Sequence, residues 1–314
     1  MKGKTALLIF QSLASRLASI LMASLLAFMI LESSPGSVID SLVGDEASQD
    51  QIATLERQLN LDKPLLSRYA EYMLHFIQGD FGTSLVRVRP VVELIGERFF
   101  NTLVLGFLSI LLATFTGFGL GMLSAMKYQS WIDTGILVTV TIFLAVPAFS
   151  GAILLTQIFS INLGWLPVVG GGSVKHLILP TISLTIPTAA VISRLVRSRM
   201  IEELHQFYVI TARAKGLSPK DIWQNHILRN ALVPALTFIG IQTGHLLGGA
   251  VIIETLFAYP GIGRLIVQAV FDQDYPVVLT SVILIAVLFQ ILNGLVDILH
   301  RIIDPRVGES APLL

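Results

Sequence analysis

Polar side chains interrupt an otherwise apolar stretch in the C-terminal third of the chain. Gln242 and His245 lie in the middle of the run 231–256, and Glu254 lies near its end. Polar and ionisable groups are costly inside a membrane, so such residues are functional candidates by default. Gln242 and His245 can line a polar pathway and bind a carboxylate or a backbone group, although His245 can equally be a buried, hydrogen-bonded histidine. Glu254 is interpreted as securing an external gate rather than binding a substrate.

The sequence lacks the groups that enzymatic chemistry would need. It contains no cysteine, which excludes disulfides, thiolate metal sites and cysteine nucleophiles. It also contains no Gly-x4-Gly-Lys-Ser/Thr phosphate loop, so we expect nucleotide to bind on a separate chain. An intramembrane enzyme would need paired catalytic groups at the same depth in the membrane, and the sequence shows none. We therefore expect no catalytic residue, no metal site and no cofactor bound by this chain.

The composition places the chain in a membrane. Of the 314 residues, 54% are hydrophobic and 13% are charged, and the mean hydropathy is +0.76. Soluble domains carry about 25% charged residues, so a soluble fold would have too little polar surface to cover its apolar stretches. The formal net charge is zero, which gives no reason to expect nucleic-acid binding.

Six apolar segments are long enough to cross a bilayer, for which about 20 residues are needed. They lie at roughly 10–32, 99–126, 134–160, 177–196, 231–256 and 277–300. Arg16 interrupts the first segment, and we expect it to reach the interface. The alternative for that segment is a cleaved signal peptide, but no small-residue cleavage site follows it, which favours a retained helix.

The basic residues set the expected orientation. With the N-terminus inside, 13 of the 21 Lys and Arg residues fall in internal segments, and two fall in the short external loops. Because short cytoplasmic loops are enriched in Lys and Arg, both termini are predicted to be cytoplasmic. The segment 33–98 is then an external insert.

The external insert is predicted to contain short helices at Gln51–Leu59 and Leu65–Ile77. We interpret it as a cap over the mouth of a pathway, with guidance of a substrate as the alternative. The sequence accordingly divides into an N-terminal helix plus insert (1–98) and a membrane core (99–314). The apolar face predicted for the second helix consists of Leu66, Tyr69, Tyr72, Met73 and Phe76.

Small residues and prolines mark the spans that pack closely. Gly117 with Gly121, and Gly244 with Gly248, form Gly-x3-Gly faces that let helices approach one another. Pro147 lies in the middle of the third span, where it frees backbone carbonyls. Further prolines occur at Pro180, Pro187 and Pro234.

The longest internal loop, about 197–230, predicts a helix, a tight corner and a second helix. Gly216 suits the left-handed position that ends a helix. Ser218 is a good N-cap, Pro219 suits the first helical position, and Asp221 places an acid in the first turn. A rigid elbow of this kind is typical of a docking device.

The same loop resembles the signature of binding-protein-dependent ABC importer permeases, which reads Glu-Ala-Ala, three residues, Gly, nine residues, Ile-x-Leu-Pro. Ala212, Gly216 and Leu228 are in register with it, whereas Ile210 stands where the pattern has Glu. The departures are similar to those of the dipeptide/oligopeptide/nickel permeases, whose loop contains Thr-Ala-Arg-Ala-Lys-Gly-Leu, as here at 211–217. The resemblance continues at Gly79–Ser84, His226–Pro234, Pro260–Arg264 and Asp304–Arg306.

The resemblance implies an all-α, six-span type I ABC importer permease in the bacterial cytoplasmic membrane. The implied partners are a homologous second permease, two ATPase subunits that bind ATP and Mg²⁺, a substrate-binding protein and membrane lipid. The first helix of the elbow would contact an ATPase. The residues at the end of that helix would therefore couple the ATPase to the pore. The coupling residues are Ala212, Arg213, Ala214, Lys215, Gly216 and Leu217.

Alternating access driven by ATP on the partner chains is the implied mechanism, and peptides are the implied cargo. Import of nickel complexes or glutathione is the alternative within the same family. A secondary transporter is a further alternative, but it would need a cluster of membrane acids and commonly has an inverted repeat, neither of which the sequence shows. That alternative would also leave the elbow unexplained.

Overall fold

The structure is a computed structural model that describes residues 2–32 and 63–303. Its regular elements are helices, apart from an isolated antiparallel bridge between Thr83 and Pro90. The predicted helix at 51–59 lies outside the described residues. The helices are α1 (Lys2–Glu32), α2 (Leu65–Ile77), α3 (Val91–Met126), α4 (Trp131–Ala145), α5 (Ala148–Leu155), π1 (Thr156–Asn162), α6 (Val174–Leu204), α7 (Phe207–Ala214), α8 (Pro219–Asp221), π2 (Ile222–Leu228), α9 (Arg229–Leu256), α10 (Ile262–Phe271) and α11 (Tyr275–Ile303).

Four continuous helices in the described part of the chain are long and apolar enough to cross a membrane, and two bent pairs bring the number to six. The predicted spans therefore have counterparts in the structure. The four continuous spans are Ala14–Leu31, Val91–Met126, Val174–Leu204 and Tyr275–Val296. The bent pairs are Trp131–Ala145 with Ala148–Asn162, and Phe238–Leu246 with Gly248–Leu256.

The third predicted span is broken at Pro147, where its two halves meet at 101°. Val146 leaves the helical region with φ −91° and ψ 118°, because a following proline disfavours the α conformation. Pro180 and Pro187, by contrast, lie inside the continuous helix α6. Prolines in the sequence therefore indicated that a span could break, but they did not show which of the proline-containing spans would do so.

The chain divides into two compact units. Of the described residues, the first comprises 2–32, 63–101 and 260–290. Its core joins Phe28 and Leu31 of α1, Leu94 of α3, Leu265 of α10 and Val278 of α11. Polar contacts reinforce this packing, since the hydroxyls of Ser24 and Tyr69 lie 2.6 Å apart and those of Tyr72 and Thr280 lie 2.8 Å apart.

The buried face of α2 differs from the prediction at one end. Tyr69 and Tyr72 pack on the core of the first unit as predicted, but Leu66 is 68% exposed. Leu65 takes its place in the packing. The face follows the spacing i, i+4, i+7, so a shift of one residue in the first turn decides which leucine is inside.

Of the described residues, the second unit comprises 102–259 and 291–303, and α6 is packed there against α4, α5 and α9. The predicted Gly117–Gly121 face is confirmed. A Cβ atom at Gly117 would lie 2.6 Å from the carbonyl oxygen of Ala189, and one at Gly121 would lie 2.6 Å from that of Ser193. Helices α3 and α6 therefore meet through backbone atoms.

On the second predicted glycine face, Gly244 is buried and Gly248 is exposed in this chain. A Cβ atom at Gly248 would meet nothing within 4 Å in the described structure. A close approach on α9 occurs at Gly240, where a Cβ atom would lie 2.2 Å from Val296. Sequence spacing indicates that a glycine face exists on a helix, but the partner helix decides where the contact falls.

Candidate functional site

The elbow predicted at 197–230 is present, and its first helix ends as the sequence requires. Gly216 has φ +77°, the left-handed conformation that favours glycine. The amide of Leu217 donates to the carbonyl of Ala212 at 3.2 Å, and the amide of Gly216 donates to that of Arg213 at 3.0 Å. These two bonds form a Schellman motif, which satisfies carbonyls that the end of α7 leaves free.

The second helix of the elbow begins at Ser218, also as predicted. The Ser218 hydroxyl accepts a hydrogen bond from the amide of Asp221 at 3.1 Å and donates to the Asp221 carboxylate at 2.6 Å. Pro219 occupies the first helical position. After α8 the chain continues through π2 directly into the membrane helix α9. The corner is therefore fixed by local bonds on both sides.

Buried apolar side chains hold the elbow against the second unit. Val209 and Ala212 of α7 pack in one cluster with Ile222 and Ile227 of π2. Met200 of α6 belongs to the same cluster and is fully buried. Burial of side chains of this size stabilises by roughly 1.5–3 kcal/mol each, so the elbow is bound firmly to α6.

A hydrogen bond from Tyr208 to Glu203 links α7 to the end of α6. Burial, with this donated hydrogen bond as the second cause, raises the pKa of Tyr208 to about 12. The ring of His226, from π2, lies 6.2 Å from that of Tyr208. Helices α6, α7 and π2 are thereby joined at one tyrosine.

The outward face of α7 is apolar at its start and basic at its end. Phe207 is 85% exposed and Ile210 is 58% exposed, one helical turn apart. Arg213 and Lys215 follow on the exposed side. Ala212, predicted among the coupling residues, is only 5% exposed, so within this chain it packs inward.

The predicted pathway residues do not form one cluster. His245 is exposed and Gln242 is half-buried, and they lie one turn apart on α9. An exposed His245 does not agree with a histidine buried inside this subunit, and the pathway role stays a prediction. Glu254 is fully buried on another face, where its carboxylate accepts a hydrogen bond from Thr102 at 2.6 Å.

Sequence reasoning missed two polar clusters. In the first unit, the buried carboxylate of Asp274 accepts hydrogen bonds from the Ser84 hydroxyl and from the Leu85 amide, and Arg87 pairs with Asp272 at 3.1 Å. In the second unit, Asp133 pairs with Arg197 across 64 residues of sequence. The local signal for Asp133 was its place three residues after Ser130, which caps α4.

Within the described ranges, no group of three or more His, Asp or Glu side chains could hold a metal ion. What the site offers is instead mechanical: a helix with an exposed apolar and basic face, attached rigidly to two membrane helices. A bundle of spans carrying an elbow of this kind is what the resemblance to ABC importer permeases implied.

The chain belongs to the family described as binding-protein-dependent transport system inner membrane component, which it matches over residues 117–309. It is similar to the glutathione transport system permease protein GsiC of Salmonella choleraesuis strain SC-B67, with 40% identity over 300 residues, 95% of this chain and 98% of that protein. The GsiC protein of Escherichia coli strain K12 is 37% identical over 299 residues, with the same coverage.

Solved structures support the fold. An inward-facing MetNI methionine ABC transporter matches with a TM-score of 0.59 and 20% identity over 68% of this chain and 98% of that chain. An amino acid ABC transporter crystallised with histidines matches with a TM-score of 0.56 and 16% identity over 67% of this chain and 94% of that chain. The protein is thus a multi-pass inner membrane permease subunit of an ABC importer, with the type I permease fold that was predicted.

Proposed function

We propose that this chain forms half of an import pore and carries no ATPase chemistry of its own. A homologous second permease would supply the other half, and two ATPase subunits would bind ATP and Mg²⁺. The absence of a phosphate loop from the sequence supports this division. The N- and C-termini would lie on the cytoplasmic side together with the elbow, as the distribution of Lys and Arg predicts.

The exposed face of α7 carries the proposal. Phe207 and Ile210 form an apolar pair that has no partner within the described chain, and an exposed patch of this kind is typical of an interaction site. Arg213, Ala214 and Lys215 are exposed beside it and would contact the ATPase directly. Ala212 would act from inside the elbow.

The residues that end α7 have a different part in coupling. Gly216 provides the left-handed corner, and Leu217 donates the closing hydrogen bond to Ala212. These residues fix the angle at which α7 meets α8. Ile210 replaces the glutamate of the wider signature, so the proposed contact is apolar at this position, with Arg213 and Lys215 supplying charge that suits an acidic rim.

The proposed cargo is of the short-peptide class, with glutathione as the first candidate. The two GsiC proteins described above are named for glutathione transport and are similar to this chain along nearly its whole length. Glutathione is a tripeptide with two carboxylates. It therefore offers the carboxylate and backbone groups that His245 and Gln242 are expected to bind as pathway residues. Glu254, buried with Thr102, would secure the external gate.

The test begins with affinity purification of the chain from native membranes and mass spectrometry of the retained proteins. The complex is then reconstituted in proteoliposomes, and uptake of radiolabelled glutathione and of a radiolabelled dipeptide is measured with and without ATP. A retained second permease, retained ATPases and ATP-dependent uptake would support the proposal. A chain that is retained alone and still supports uptake without ATP would refute it.

His245→Ala in the same assay tests the pathway residue. We expect a higher glutathione concentration for half-maximal uptake with an unchanged ATPase rate. Uptake with the affinity and rate of the parent protein would remove His245 from the pathway.

A further inference from the structure

Asp133, at the start of α4, is a buried carboxylate of the second unit that accepts four hydrogen bonds. It is 3% exposed. One carboxylate oxygen accepts from the Ser124 hydroxyl at 2.5 Å and from Nε of Arg197 at 2.7 Å. The other accepts from the Gln129 amide at 3.0 Å and from Nη2 of Arg197 at 2.8 Å. A single side chain therefore joins the end of α3, the following turn, α4 and α6.

Arg197 is held as firmly as its partner. Its guanidinium carbon lies 5.5 Å from the centre of the Tyr128 ring, on the turn before α4. The two parallel hydrogen bonds to Asp133 use the planar fork of the guanidinium, which fixes orientation as well as distance. A lysine in this position would keep the charge but could not reproduce both bonds.

This ion pair is a poor device for stability alone. A buried pair recovers little more than the cost of removing two charges from water, and apolar side chains of similar volume often do as well. The distinctive property of the pair is its fixed geometry, because two parallel hydrogen bonds hold α4 against sliding or rotating on α6. That property matters only where relative movement has to be controlled.

The position of the pair links the elbow to the broken span. On α6, Met200 packs in the apolar cluster that holds the elbow. Three residues earlier, Arg197 pairs with Asp133 of α4. Helix α4 runs from Asp133 to the 101° break at Pro147. A partly open pocket of about 240 Å³ lies beside the break and is lined by Pro147 and by Pro187 of α6.

We propose that Asp133 and Arg197 are positioning residues that make α4 move as one body with the elbow, so that movement of α7 on an ATPase is delivered to the break at Pro147. The inference rests on the proposed coupling role of the elbow. It adds a route by which the movement reaches the membrane. A pair that served only for packing would affect stability and leave the amount of cargo moved per ATP unchanged.

The experiment measures coupling and geometry in the assembled importer. Uptake of radiolabelled glutathione and hydrolysis of ATP are measured together for the parent protein, Arg197→Gln, Asp133→Asn and Arg197→Lys. Arg199→Gln is the matched control, because it lies on the same helix but removes only an exposed pair with Glu202 at 3.0 Å. We expect glutathione moved per ATP to fall about tenfold in Arg197→Gln and Asp133→Asn, within the range usual for coupling between sites.

Spin labels give a readout that needs no cargo. The chain has no native cysteine, so Val138→Cys on α4 and Lys220→Cys on the elbow place two labels selectively. In the parent protein and in Arg199→Gln, the distance between the labels is expected to stay the same without nucleotide and in the vanadate-trapped state. In Arg197→Gln it is expected to change between the two states or to become broader.

Each outcome decides the matter. Unchanged coupling and an unchanged label distance in Arg197→Gln would overturn the inference while leaving the proposed function intact. If Arg197→Gln fails to assemble, the decision passes to Arg197→Lys, for which normal coupling would overturn the inference and reduced coupling would support it. An absence of ATP-dependent uptake of both glutathione and the dipeptide by the parent complex, with its substrate-binding protein present, would instead refute the proposed function.

Discussion

Gly121→Ala is expected to destabilise the second unit through a single added methyl group. The new Cβ atom would lie 2.6 Å from the carbonyl oxygen of Ser193 and 2.8 Å from Cβ of Val196. An ordinary contact begins at 3.4 Å, so α3 would have to move away from α6 by about 0.8 Å. Because the nearest obstacle is backbone, no side-chain rotation can relieve the contact.

The magnitude follows from two opposing effects. Overpacking of this kind costs about 1–3 kcal/mol. Replacing glycine by alanine in a helix returns up to about 1 kcal/mol through its better helix propensity. Gly119→Ala is the matched control, because Gly119 lies on the same helix with nothing within 4 Å of its added Cβ atom. The free energy of unfolding of Gly121→Ala should be lower than that of Gly119→Ala by about 1–3 kcal/mol.

Reversible unfolding in mixed micelles of increasing sodium dodecyl sulfate content measures this difference. The fluorescence of Trp131, Trp165 and Trp223 reports on the second unit, which contains all three tryptophans of the chain. Equal unfolding free energies for the two variants would show that α3 and α6 do not meet through backbone atoms at Gly121, and the reasoning would fail.

Three further changes test other parts of the structure. Ser218→Ala removes the N-cap that receives the Asp221 amide and should destabilise the elbow by about 1 kcal/mol, seen as faster hydrogen exchange there and unchanged exchange in α3. Tyrosinate absorbance should show Tyr208 ionising near pH 12, and this step should be missing from Tyr208→Phe. Because the pKa of Tyr208 in the folded protein is above the usual 10.0, the contribution of its protonated form to folding stability is complete below pH 10 and is lost as the pH rises towards 12. Asp274→Asn leaves the Ser84 hydroxyl with a weaker acceptor and should expose the segment 79–90 to added protease; an unaltered cleavage rate would contradict this.

The elbow could be predicted in detail because its signals are local. Gly216, Ser218 and Pro219 each act on the backbone within a few residues, and each has the predicted conformation or hydrogen bond. The spans could be predicted for a similar reason, since their length and composition are contained in single segments. Structural features that depend on a single stretch of sequence could therefore be predicted from that stretch.

The features that were missed depend on pairs of distant residues. Arg197 counted in the sequence only as one of many basic residues near the cytoplasmic side, and its partner Asp133 lies 64 residues away. Gly248 matches the spacing of a packing face, but no helix of the described chain approaches it there. A single sequence shows which groups are available for such contacts, whereas only the folded chain shows which partner each one meets.

The exposed Phe207 has a consequence for how the importer is made. A copy of this subunit that has reached the membrane without an ATPase presents an 85% exposed phenylalanine and a 58% exposed isoleucine on α7, which is not one of the candidate spans. Under the proposed coupling, that patch is covered only in the complete complex. Orphan subunits are therefore prone to associate with one another or to be degraded, and balanced synthesis of the partner chains becomes a condition for accumulating this one.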